Sequence, residues 1–180
     1  MTVFLRPWQP GDASALQSAY ESAADLVTQF GGVDLSHTDS ALRYIEESYG
    51  VGERERNWAI VEEGVAVGNV GLSSIEMRHQ TAGVSYWLSS VARGNGYATR
   101  AVVAVSEWAY ANGLFRLEIG HRVNNPASCR VATSAGFVVE GVERKKLLYG
   151  EERFDVETHA RLLTDPRPVA AGLPLAISPS

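Results

Sequence analysis

The stretch richest in chemistry runs Val84-Ser-Tyr-Trp-Leu-Ser-Ser-Val-Ala-Arg93-Gly94-Asn95-Gly96-Tyr97-Ala98-Thr99-Arg100, a strand pattern that passes through two glycines directly into a helical one. Such a junction suits a phosphate. Glycine lets successive backbone N–H groups turn inward, and the first turn of the new helix adds unpaired donors and the positive end of its dipole. Arg93 and Arg100 add formal charge. The same glycines would also serve a plain tight connection, so the fragment needs support from elsewhere. It is not a dinucleotide fingerprint, because G-x-G-x-x-G would need glycine where Thr99 stands, and it is not a P-loop, since no Lys precedes Lys145.

A second constellation, Asn124-Asn125-Pro126-Ala127-Ser128-Cys129-Arg130, opens a helix that runs toward Ala135-Gly136-Phe137. Asn125 followed by Pro126 reads as an N-cap and first helical position. Capping does not account for Ser128, whose hydroxyl, one turn into the helix, can donate and accept a hydrogen bond at the edge of a sheet.

Holding these residues together requires that sheet. Apolar periodicity and turn residues predict a strand over 3–8, helices over 13–23 and 38–49, and strands from 57 to 88 joined at Glu62-Glu63-Gly64 and Arg78-His79-Gln80. A helix over 96–112 closed by Gly113, a strand over 114–123, a short helix over 126–135 and strands over 137–142 and 154–162 follow. Asp12 is placed to cap the first helix. The order predicts an α/β fold: one central mixed α+β sheet flanked by about four helices, in a single domain over 1–164. The segment 165–180 holds Pro166, Pro168, Pro174 and Pro179 with little to bury, which predicts an extended or mobile tail.

Composition narrows the function. At 180 residues, 45% hydrophobic and 21% charged, the chain is the size of one globular domain. No apolar run approaches the roughly 20 residues of a membrane span, and a net charge of −5 disfavours direct nucleic-acid binding. The one cysteine, Cys129, excludes an intrachain disulfide and a cysteine-built zinc site, and no secretory signal opens the sequence. A cytoplasmic protein is expected, with no metal, no membrane and no nucleic-acid partner.

In their order and spacing, Leu5-Arg-Pro-Trp8, Val67-Gly-Asn-Val-Gly-Leu72, Tyr86-Trp87, Arg93-Gly-Asn-Gly96-Tyr-Ala98 as an Arg/Gln-x-x-Gly-x-Gly/Ala signature, and Asn125-x-x-Ser128 ahead of Ala135-Gly-Phe137 resemble one family. It is the GNAT superfamily of acetyl-CoA-dependent N-acetyltransferases, and within it the RimJ/RimL-like branch acting on ribosomal-protein N-termini. The resemblance covers about residues 4–163.

The resemblance implies a GNAT fold whose sheet is splayed at the cofactor. The coenzyme A diphosphate would rest on the backbone of Arg93, Gly94, Asn95, Gly96, Tyr97 and Ala98, with Thr99 beginning the helix beside it. The pantetheine arm would lie along the preceding strand, against backbone groups near Trp87, Leu88 and Ser89. Asn125 matches the position that contacts the arm, and Ser128 the hydroxyl near the thioester sulfur. Acetyl-CoA is then a co-substrate attacked directly by a neutral amine, from a protein N-terminus or a small molecule. Cys129, lacking an obvious His partner, reads as a structural thiol rather than a nucleophile.

One departure matters. Many relatives carry a carboxylate on the strand before the signature, where this chain has Gly83 in Ala82-Gly-Val-Ser-Tyr-Trp87. Glu118 and His121 on the next strand are the substitute bases, each with an alternative structural reading, and a water relay is a third route. The missing carboxylate also motivates an alternative function, a non-catalytic acyl-CoA-binding sensor. Acceptor choice is expected to come from the first two helices, Gln29-Phe-Gly-Gly32 and Tyr149-Gly-Glu-Glu152. Monomer and homodimer both stay open.

Overall fold

Each apolar run of the sequence becomes one element of a mixed sheet, and the computed structural model describes residues 2–50 and 52–176. The elements are β1 (Val3–Arg6), α1 (Ala13–Ser22), α2 (Thr38–Ser48), β2 (Arg56–Glu62), β3 (Val65–Glu76), β4 (Thr81–Leu88), α3 (Tyr97–Ala111), β5 (Arg116–Arg122), α4 (Pro126–Ser134), β6 (Val138–Tyr149) and β7 (Glu152–Leu162), with a 3₁₀ segment at Ala24–Phe30. The strands form one seven-stranded sheet in the order β1-β2-β3-β4-β5-β7-β6.

Strand alternation divides the core in two. On one face Ile60, Val70, Ala82 and Val84 pack against Ala101, Val102 and Val105 of α3 and Ala132 of α4. On the other, Ala59, Val61 and Trp87 pack against Leu16 of α1, Ala41 and Ile45 of α2, and Phe30. All neighbouring pairs are antiparallel except β4 and β5, which run parallel and pair only at Thr81–Arg116, Ala82–Leu117 and Gly83–Glu118. Beyond Gly83 the two strands diverge, leaving the β4 edge from Val84 to Leu88 without a strand partner. This is the splay that the family resemblance implies.

Two of the sequence motifs turn out to be structural. In Val67-Gly-Asn-Val-Gly-Leu72, a Cβ on Gly68 would lie 2.5 Å from the Trp87 carbonyl and one on Gly71 2.1 Å from Asn57 Oδ1, so neither site admits a side chain. Asn69 Oδ1 accepts from the buried Trp8 indole at 2.8 Å, and its amide donates to Asn57 at 3.0 Å. The glycines therefore let β3 sit tight between its neighbours, while Asn69 satisfies the one polar atom that Trp8 brings into the core.

Several sequence expectations are corrected. Asp12 does not cap α1 with its side chain; its carboxylate accepts two bonds from Arg6 at 2.7 and 2.8 Å and one from the Gln9 N–H. The first strand ends at Arg6, before Pro7. The segment after α1 is a 3₁₀ helix closed by Gly31 at φ 63°. The strand expected over 137–142 continues to Tyr149, and β7 starts at Glu152. It was missed because most β6 side chains face solvent, so no apolar alternation marks it, and Lys145 at φ 55° breaks its register.

The tail finds more to bury than its prolines suggest. Leu173 is 4% exposed in the core, its N–H donates to the Arg100 carbonyl at 3.1 Å, and a Cβ on Gly172 would meet Ala104 Cα at 3.0 Å. The Leu5 N–H donates to the Pro174 carbonyl at 2.8 Å and the Ala176 N–H to Leu5 at 2.7 Å, so the extended tail covers the outer edge of β1. Pro179 lies outside the described residues.

Candidate active site

The splay opens into a cleft of about 380 Å³. Trp87 and Leu88 of β4, the turn residues Arg93, Gly94, Gly96, Tyr97, Ala98 and Thr99, and Asn125 and Ser128 of α4 all line it. Residues of two separate sequence motifs thus meet across one space.

The turn is shaped for an anion. Gly94 and Gly96 adopt φ 82° and 74°, the left-handed region that glycine enters freely, and a Cβ at either would meet no protein atom within 4 Å. That space is open. Gly96 caps α3 without any side-chain bond, and the first helical bond is donated by Arg100 N to the Gly96 carbonyl. The N–H groups of Tyr97, Ala98 and Thr99 therefore have no intrahelical acceptor, at the positive end of a 15-residue helix.

The side chains around the turn are held in place. Arg93 Nε donates to the Leu88 carbonyl at 3.2 Å, and the guanidinium pairs with Asp25 at 3.1 Å across the cleft mouth. The Tyr97 hydroxyl bonds Glu62, directing that ring away from the opening. Asn95 turns its amide onto the Ala92 carbonyl at 3.4 Å and does not line the cleft. Nor does Ser89, whose N–H donates to the Val67 carbonyl at 2.9 Å while its buried Oγ has no partner among the described residues.

At the other wall, Asn125 Oδ1 accepts the Ser128 N–H at 3.1 Å, the N-cap expected from sequence. Ser128 itself lines the cleft. Tyr86 joins it: its hydroxyl donates to the Ser128 carbonyl at 3.3 Å, and burial pushes the phenol above its ordinary pKa, so it stays protonated at neutral pH.

Sequence reasoning missed Tyr86, the 3₁₀ residues Asp25 and Leu26, and the α4 residues Ala127, Arg130, Val131 and Ser134, which all line the same cleft. For α4 the signal was there, since 127, 130, 131 and 134 follow helical i, i+3, i+4, i+7 spacing behind Ser128. Arg130 makes no ion pair with a described residue and adds a cation to the wall.

Glu118 and His121 go elsewhere, and not to one place. Three residues apart on a strand, they face opposite sides of the sheet. Glu118 is exposed, accepts from Arg116 at 2.7 Å and lines a second cleft of about 470 Å³ on the far side of the splay, beside Gly83, Glu140, Glu143 and Lys146. It stands directly opposite Gly83 in the strand register. His121 is buried under α4, against His159 at 2.9 Å. Cys129 points to the same place rather than into the cofactor-shaped cleft; partial desolvation, then its bond to Glu157, push its thiol pKa up, which disfavours a thiolate nucleophile. The expectation that it lacks a His partner is corrected: two imidazoles lie within 4.8 Å of its sulfur.

Comparison with known proteins agrees with this geometry. Residues 2–138 match the family model described as "Acetyltransferase (GNAT) domain". The chain is 31% identical over 105 residues to the ribosomal-protein-serine acetyltransferase of Escherichia coli (strain K12), a match that spans 58% of this chain and 59% of that protein. It is 28% identical over 155 residues to the probable N-acetyltransferase YjcK of Bacillus subtilis (strain 168), covering 81% and 86% of the two chains. Among solved structures, the microcin C7 self immunity acetyltransferase MccE in complex with acetyl-CoA and AMP superposes with a TM-score of 0.80 at 20% identity, covering 90% of this chain and 93% of that one. Mycobacterium smegmatis RimJ in complex with CoA-disulfide superposes at 0.79 with 24% identity, covering 89% and 82%. With its splayed sheet, its glycine turn at the head of α3 and a family match over most of its length, the chain belongs to the GNAT acetyltransferase domain family.

Proposed function

We propose that this protein transfers the acetyl group of acetyl-CoA to a primary amine, on a protein N-terminus or a small molecule. One observation carries the reading: an unpaired strand edge, an uncapped helix N-terminus and a free serine hydroxyl converge on one cleft. The fit to coenzyme A is chemical. The Gly94–Gly96 turn offers open space exactly where a Cβ would intrude on a diphosphate, and the N–H groups of Tyr97, Ala98 and Thr99 point donors into it. The β4 edge beyond Gly83 offers backbone partners to the amides of a pantetheine arm, and Arg93 and Arg130 supply positive charge at the rim.

When bound, the thioester supplies the acyl carbon that the amine attacks. Ser128 would pass its hydroxyl proton to the departing thiolate and recover the second proton of the attacking nitrogen, with Tyr86 fixing the α4 backbone from which it projects. An alkylammonium with a pKa near 10.4 must lose a proton first. Glu118 receives it: opposite Gly83 in register, it places a carboxylate at the second cleft where relatives carry one on the neighbouring strand. Arg116 orients that carboxylate, and Glu140 and Glu143 add negative charge for a cationic acceptor. His121 takes no part in either cleft. The RimJ/RimL-like relatives make a ribosomal-protein N-terminus the first acceptor to test.

Acetyl-CoA binding by calorimetry, with thiol release measured against N-terminal peptides, amino acids and polyamines, tests the proposal. Binding with turnover on one acceptor class is the expected result. Binding without turnover across the panel would favour the sensor, and absence of binding would overturn the assignment of the Arg93–Thr99 turn.

A further inference from the structure

Four potential ligands meet between α4 and the β5–β7 pair: His121, Cys129, Glu157 and His159, whose ligand atoms all lie within 4.8 Å of one another. Strand register explains the meeting. His121 pairs with Glu157 and Ile119 with His159, so the three polar side chains share the sheet face on which α4 lies, and Cys129 comes down from α4 onto them.

The contacts are those of a ligand set drawn together. His121 Nε2 lies 2.9 Å from His159 Nε2, His159 Nε2 2.9 Å from Glu157 Oε1, His121 Nε2 3.4 Å from the same oxygen, and Cys129 Sγ 3.5 Å from it. Zinc–nitrogen, zinc–oxygen and zinc–sulfur bonds of about 2.0–2.3 Å in a tetrahedron place ligand atoms about 3.3–3.7 Å apart, so the ion is admitted when the close pairs open by a few tenths of an ångström and the widest, within 4.8 Å, close by about an ångström.

Orientation points the same way. His121 Nδ1 lies 3.0 Å from the Arg122 carbonyl, which only accepts, so Nδ1 carries the hydrogen and Nε2 presents its lone pair to the cluster. A backbone carbonyl behind one ring nitrogen is how metal-bound histidines are commonly held. His159 is 1% exposed, and its Nδ1 has no partner among the described residues, so its ring's polar contacts there are on the cluster side. The single hydrogen available to a neutral His159 Nε2 faces two acceptors at the same distance. Glu157, with a quarter of its side chain exposed, leaves a way in.

We propose that His121, Cys129, Glu157 and His159 form a binding site for one borderline-soft divalent ion, of which Zn²⁺ is the type. Binding replaces the thiol proton of Cys129 by a metal–sulfur bond and releases that proton to solvent; nothing is oxidised or reduced. The site is a brace rather than a part of the transfer chemistry: it ties α4, one residue beyond Ser128, to β5 and β7. It stands apart from the acetyl-transfer reading, because none of its four ligands has a role in the transfer, although His159 also borders the second cleft.

Chelator-treated protein titrated with Co²⁺, without coenzyme A or amine, provides the test. The expected result is one Co²⁺ per chain, with visible bands of a tetrahedral site and a near-ultraviolet thiolate-to-cobalt band. Zn²⁺ should displace the ion and slow alkylation of Cys129 by iodoacetamide at least tenfold. Cys129→Ser should remove the thiolate band and weaken binding at least tenfold, His159→Asn and Glu157→Gln should weaken it similarly, and His79→Ala, at an exposed histidine, should leave it unchanged. Glu157→Gln, at the exposed corner, keeps the test decisive if His159→Asn folds poorly. Wild-type protein that shows no thiolate band, or binding that survives both Cys129→Ser and Glu157→Gln undiminished, would overturn the site.

Discussion

The two clefts on either side of the β4–β5 splay are made of opposite materials. The anion end of the first is built of backbone: glycines at positive φ, the bare amides at the head of α3 and the open edge of β4. The second is mostly charged side chain, with Arg116, Glu118, Glu140, Glu143 and Lys146 around its rim. Backbone suits a ligand part that never changes, because its donors are fixed by the fold and no side-chain substitution removes them. Side chains suit a part that varies between relatives. The contrast fits the proposed reading, with the constant co-substrate in the first cleft and the acceptor in the second, and each substitution below should affect one and spare the other.

The largest effect is expected from Gly96→Glu. A side chain at φ 74° strains the backbone by about 1–2 kcal/mol and sets a negative charge among the amides, so acetyl-CoA affinity should fall more than about 100-fold by calorimetry. Retained affinity would break the assignment of the backbone cleft. Ser128→Ala should follow, lowering kcat about 10- to 100-fold while the acetyl-CoA Kd changes less than about twofold. Equal losses in both would make Ser128 a binding group only.

On the other side, Glu118→Gln should lower kcat/KM for amines by about tenfold, with acetyl-CoA binding unchanged. An unaltered kcat/KM would transfer the proton to a water relay. The smallest effect concerns stability. The hydrogen bonds from Arg116 hold the Glu140 carboxyl below its ordinary pKa, so this pair contributes fully above about pH 4.3 and is lost as pH falls through the lower folded value. Glu140 is exposed and Arg116 partly so, so Glu140→Gln should cost about 0.5 kcal/mol or less near neutrality, and less still in salt, by thermal denaturation.

The same contrast explains what could be read from the sequence. The backbone cleft was legible because its parts are consecutive: Arg93 to Thr99 carries strand end, turn and helix start in one stretch, and Asn125 to Ser128 carries its own cap. The wall contributed by Asp25 was not, because a 3₁₀ segment has no apolar periodicity and reaches Arg93 only through the fold. Glu118 and His121 were both legible as polar residues on a strand. Their separation by three already placed them on opposite faces, a constraint available from the pleat alone. The histidine pair was invisible, since His159 comes from a strand 38 positions away. β6 was cut short because an edge strand with solvent on both faces leaves no pattern to follow.

The tail has a consequence for the order in which the molecule is made. Leu5, synthesised about 170 residues earlier, receives its outer partners only when Pro174 and Ala176 arrive, and Leu173 then closes over α3. Until that point β1 carries an unpaired edge, and the helix that presents the phosphate-shaped turn lacks one side of its packing. So distant a pairing makes closure slow and leaves the nascent chain exposed to wrong strand partners. Synthesis halted before Leu173 would yield the full set of motifs without the final contact that seals the sheet.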